Sequence, residues 1–187
     1  MNQIESKTIY QQLLLTFIIS IFCSSCIGVS HIIATTGASE SLVNEIPKGA
    51  KVVFVEKENI TEADLFNEVY TILLSRGHRI QKDDPNRYYI MTEGKDVGQS
   101  TLQRMTLVVT KTEKGAKLKI NTEWKPGTGT NIMVAGATSI PVYLDWAEAK
   151  WEINRLGIAF SESVVIASQI KDSHLYYDLS LNKPPSN

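Results

Sequence analysis

The chain has 187 residues, with 19 Lys and Arg against 20 Asp and Glu and a formal charge of −1 at pH 7. At roughly 100–200 residues per domain this is one domain, large enough to bury a core without cross-links. Hydrophobic residues at 43% and charged residues at 21% exclude a disordered tail and a multi-span membrane protein. The balanced charge argues against a nucleic-acid partner, which selects for a basic face. Two cysteines and three histidines leave little material for a metal cluster or a disulfide scaffold, and no cofactor is expected.

Chain order begins with a leader. Leu13–Phe22 is apolar apart from Thr16 and Ser20. It is too short for the roughly 20 apolar residues of a membrane-spanning helix, but it has the length of a secretory h-region. Cys23-Ser24-Ser25-Cys26 follows. A signal peptidase needs small residues just before its cut, and Ser24 and Ser25 meet that need if cleavage falls before Cys26. The arrangement over residues 1–26 resembles the lipobox of bacterial lipoproteins. The resemblance implies that Cys26 is the first mature residue, carries the acyl chains and binds the lipid bilayer, with the domain outside the cytoplasm in the cell envelope. Two other readings stand beside it: a C-x-x-C redox or metal half-site, and a plain secretory signal or short anchor. Cleavage before Cys26 would leave the folded part with no free thiol, which removes cysteine catalysis.

The expected organisation is a signal peptide over 1–25, a lipidated tether over 26–45, one α+β domain over 46–182 and a disordered tail over 183–187. The tether is read from the small and polar tract Thr35–Ser41, with the Ile32–Ile33 pair near the membrane surface. Lys51–Val55 predicts a first strand, rich in β-branched residues. Thr61-x-x-Asp64 predicts a helix start, Leu65, Val69, Ile72 and Leu73 give its apolar stripe, and Gly77 stops it. Strands are predicted at His78–Lys82 and Arg87–Thr92, joined by Asp83-Asp84-Pro85-Asn86, then at Thr101–Lys111 and, after the Glu113-Lys114-Gly115 turn, at Ala116–Trp124. The last alternates: Ala116, Leu118, Ile120, Thr122 and Trp124 on one face, Lys117, Lys119, Asn121 and Glu123 on the other. One face is therefore buried and one wet. A less regular strand is read over Thr130–Thr138. A helical period runs from Asp145 to Ile170, with Gly157 kinking or splitting it, and Leu175–Leu181 alternates as a closing strand. The fold class is α+β: an antiparallel meander sheet with two helices packed on one face, a two-layer sandwich.

Chemistry-bearing patterns are absent from the sequence. His31, His78 and His174 are far apart, and neither G-x-S-x-G nor a phosphate-binding glycine loop occurs. Asp83-Asp84 lacks the spacing of a calcium loop. Arg104, a charge in mid-strand, can pair with Glu123 or bind an anion. The reading is thus a non-enzymatic envelope lipoprotein with a binding or assembly role, its partner surface the wet face carrying Arg104, Lys117, Lys119 and Glu123, its partner another envelope protein. The alternative is a carrier holding a lipid or peptide between helix and sheet, suggested by the aromatic surplus of Trp124, Trp146, Trp151, Tyr88, Tyr89, Tyr176 and Tyr177.

Overall fold

The computed structural model describes residues 28–127, 131–132, 140–141 and 144–179. The leader, Cys26 and the expected C-terminal tail lie outside the described residues, as does most of the strand expected over Thr130–Thr138. The elements are α1 (Val29–Thr36), α2 (Glu40–Asn44), β1 (Val52–Glu58), α3 (Glu62–Ser75), β2 (Ile80–Asp84), β3 (Tyr89–Thr92), β4 (Lys95–Asp96), β5 (Thr101–Lys111), β6 (Gly115–Pro126), β7 (Asn131–Ile132), β8 (Ile140–Pro141), β9 (Ala147–Glu148), α4 (Arg155–Ser168) and β10 (Ser173–Asp178).

An antiparallel sheet forms the platform, ordered β10-β1-β6-β5-β3-β2, with β4 beside β5 and β9 beside β6; β7 and β8 pair separately. β2, β3, β5 and β6 run as the expected meander, while the first strand inserts between β6 and the last strand. The long β5–β6 hairpin is in register from Thr101↔Pro126 to Lys111↔Ala116. Gln103, Met105, Leu107 and Val109 of β5, and Ala116, Leu118, Ile120 and Thr122 of β6, are all buried. Side chains alternate across a strand, so these residues line one face. Helices α3 and α4 both pack on that face, which is the expected α+β sheet-and-helix layering.

Helix α3 starts as its sequence dictates. Thr61 accepts a hydrogen bond from the Asp64 amide at 3.1 Å and donates its hydroxyl to the Asp64 carboxylate at 2.7 Å, and both acids of the first turn face the positive end of the helix dipole. Leu65, Phe66, Val69 and Leu73 form its buried stripe. Gly77 ends the run with φ +76, a left-handed conformation that costs glycine nothing.

Two segments depart from expectation. Residues 29–44, read as a tether, form α1 and α2, and α1 packs along α4. Ile32 and Val43 are buried, and Ile33 packs partly against the core, so the segment belongs to the packed body. The polar look of the tract is deceptive: Thr35 and Thr36 return their hydroxyls to the carbonyls of His31 and Ile32, at 2.8 and 2.9 Å. Satisfied in this way, threonine fills a helix interface as a small side chain. The second departure is the helix start at Arg155 in place of Asp145. Upstream, the Ala149 amide bonds to Thr122 O at 2.9 Å and the Trp151 amide to Ala50 O at 2.7 Å, so the segment is spent on tying strands together. Asn154, not Asp145, caps the helix, accepting from the amides of Leu156 and Gly157. A Cβ on Gly157 would overlap the Glu152 carbonyl, so this glycine allows the chain to enter the helix tightly and kinks nothing.

Candidate functional site

The outer face of the sheet is built by the odd-numbered positions of β6 and their cross-strand partners. Arg104 sits opposite Glu123, and the guanidinium Nε donates to the carboxylate at 2.6 Å. Lys117 lies 4.0 Å from Glu56, which accepts the Tyr176 hydroxyl at 2.8 Å. Partial burial and this carboxylate push the Tyr176 phenol up to about 12, so it remains a donor at neutral pH. Lys119 differs from its neighbours in having no hydrogen bond or ion pair among the described residues. By register it stands between Phe54 and Val108, in a row that continues to Tyr176 on one side and Tyr89 on the other. Phe54 and Tyr176 stack with centroids 5.2 Å apart.

All four residues of the sequence-predicted surface thus occur on one face. The aromatic content of that face was not anticipated. Trp146 is half-buried on the outer side, with the Arg104 guanidinium 4.6 Å and the Lys125 ammonium 4.8 Å from its ring. Cations over an indole face gain from its quadrupole, which holds this tryptophan flat against the sheet. Trp151, by contrast, is buried.

A second polar assembly lies inside. Glu162 of α4 is 3% exposed and receives three donors: Arg76 at 2.6 Å, His78 Nε2 at 3.1 Å and Lys95 at 3.2 Å. An ionised carboxylate only accepts, so His78 carries its proton on Nε2. Burial opposes ionisation of Glu162, but the hydrogen bonds from His78 and Arg76 and the charges of Arg76 and Lys95 outweigh it and hold the carboxyl at about 2. Arg76 also donates to Thr36 O at 3.1 Å and Lys95 to Arg76 O at 2.7 Å. The cluster therefore joins α1, the end of α3, β4 and α4. Beside it, Gln103 donates to Ala159 O and to Ser163, which in turn bonds Thr122.

A cavity of about 260 Å³ opens on this cluster, lined by Arg76, Lys95, Asp96 and Glu162. Two cations face two carboxylates there, so the site has no excess charge to capture an ion. Among the described residues no group of three or more His, Cys, Asp or Glu is placed to hold a metal ion. Between helices and sheet the space is filled by Leu65, Ile90, Met105, Leu118 and Phe160, each at most 1% exposed. Among the described residues no helix is long and apolar enough to cross a membrane. No family model matches the chain, and no curated protein matches it.

Proposed function

We propose that the protein is a bacterial envelope lipoprotein anchored through acylated Cys26, non-enzymatic, and serving in binding or assembly through the open face of its sheet. Two kinds of observation support the reading. The leader ends in Ser24-Ser25-Cys26, which resembles the lipobox of bacterial lipoproteins. The outer face then supplies the one observation of geometry that carries a binding role: Lys119, an ammonium without a partner among the described residues, stands in a row of half-buried aromatic and aliphatic side chains while the charges around it are paired. Aromatic side chains are enriched at protein interfaces, and an uncompensated rim charge steers a partner of opposite charge. Inside, Arg76, His78 and Lys95 are all engaged with Glu162.

Anchoring is tested by labelling cells with a fatty-acid analogue. The native chain and Cys23→Ala take the label, whereas Cys26→Ala accumulates as unlabelled precursor. Labelling of the Cys26→Ala chain ends the lipoprotein reading.

A further inference from the structure

Only Ile27 and Gly28 stand between Cys26 and the first helical residue, Val29. That helix is part of the packed body. Ile32 has 0% exposure and Thr36 6%, and the Thr36 carbonyl is gripped by Arg76, itself bound to Glu162. Three residue steps reach at most about 11 Å even when fully extended. A tether long enough to let the domain roam would need α1 to melt, which would strip Ile32 from the core and break the Arg76 contact.

On the acylated-Cys26 reading given above, we propose that the domain is mounted directly on the bilayer, with the N-terminal end of α1 and the adjoining β4–β5 loop lying on the lipid headgroups. The chemistry of that end fits a headgroup surface. Ser30, Gln99 and Ser100 are exposed, and the Gln99 amide donates to His31 Nε2 at 2.6 Å, fastening the loop to the helix. These four residues are polar and none is acidic, so nothing among them repels anionic lipid. The fold also fixes what faces away. α1 packs on α4, and α4 packs on the inner face of the sheet, so Lys119 and the outer face sit beyond the sheet from the anchor. A rigid short mount would present that face outward in one orientation, where a long tether would randomise it.

The test uses the full chain, matured in cells and reconstituted in vesicles of phosphatidylethanolamine and phosphatidylglycerol containing a headgroup quencher. Cys23 leaves with the leader and the Cys26 sulfur is taken by lipid, so Ser100→Cys and Lys119→Cys each supply a unique thiol for one fluorophore. Quenching several-fold stronger at position 100 than at position 119 is expected. A long Gly-Ser insertion after Ile27 should bring the two positions to equal quenching. Intact mass reports acylation separately. An acylated chain with equal quenching at both positions overturns the mount alone, as does a difference that survives the insertion. A chain without the acyl mass overturns the anchoring reading and the mount with it.

Discussion

The protein contains two arginine–glutamate pairs of the same length in very different surroundings. Arg76 meets Glu162 at 2.6 Å with side chains 20% and 4% exposed, and Arg104 meets Glu123 at 2.6 Å with side chains 27% and 36% exposed. Distance therefore says nothing about which pair matters. What differs is how much water each carboxylate gave up and how many donors replaced it. Glu162 is desolvated and compensated by three donors, from the end of α3, the turn after it and β4. Glu123 keeps much of its water and has one ion-pair partner. The first pair fixes how α1, α3, β4 and α4 meet, and the second leaves its face adaptable.

Neutralising each acid in turn gives the largest expected contrast. Glu162→Gln preserves volume but leaves Arg76 and Lys95 facing an uncharged amide. By analogy with broken buried pairs, it should cost about 3–5 kcal/mol in urea denaturation. Glu123→Gln should cost less than about 1 kcal/mol. Equal losses would show that the inner cluster is solvated like the outer pair, and the comparison would collapse.

The buried end of the same network includes Ile32, whose segment connects the cluster to the N-terminus. Ile32→Ala should cost about 2–5 kcal/mol, since the fully buried side chain leaves a cavity between α1 and α4. A loss below about 0.5 kcal/mol would mean that residues 29–44 are an appendage after all. The same reasoning predicts that a chain starting at Pro47 unfolds at lower urea than one starting at Gly28.

Acid sharpens the comparison further. The folded Glu162 carboxyl titrates at about 2, below its ordinary value of 4.5. Its ionised form is thus favoured by folding, and the stabilisation is present above pH 4.5 and lost as pH falls from there toward 2. The amount is on the order of 3 kcal/mol. The stability gap between the native chain and Glu162→Gln should therefore narrow by about that much between pH 7 and the acid limit. A gap that stays constant with pH would show that the carboxylate gains nothing from its donors.

Legibility followed the same division between one-sided and all-round burial. Helix α3 and strands β5 and β6 each bury one face, so their periods of 3.6 and 2 are printed in Leu65–Leu73 and Ala116–Thr122. Helix α4 is buried on every side from Gly157 to Ala167, and a helix covered all round has no polar stripe to mark its register. Its true start was masked because Trp146, Ala149 and Ile153 happen to fall at helical spacing while their backbone serves the sheet. α1 was missed because threonines that bond their own helix read as linker. The Glu162 cluster left one trace: an acid between two serines amid Phe160, Val164 and Val165, a charge with no solvent face to occupy. Its partners Arg76, His78 and Lys95 come from around a chain reversal, which no local pattern announces. On the outer face, alternation placed Arg104, Lys117, Lys119 and Glu123 together correctly, but Trp146 reaches that face from a distant segment.

The smallest expected effect on stability carries the most about function. Arg104 and Lys119 are both cations of the outer face, yet Arg104 is held by Glu123 and lies over Trp146, whereas Lys119 is held by nothing among the described residues. Arg104→Ala should therefore cost up to about 1 kcal/mol, and a larger loss would identify it as a structural pair and remove it from the binding surface. Lys119→Glu should change stability by about 0.5 kcal/mol or less, the usual range for an exposed side chain without partners. A charge that does nothing for the fold, in a row of aromatic side chains that would gain from cover, has a partner's carboxylate as its natural counterpart. If the face binds, reversing this one charge abolishes the cellular phenotype of the gene while circular dichroism and the urea midpoint stay at the native values. A full phenotype with Lys119→Glu at native stability would show that this face is merely solvated, and the binding role would have to move elsewhere on the molecule.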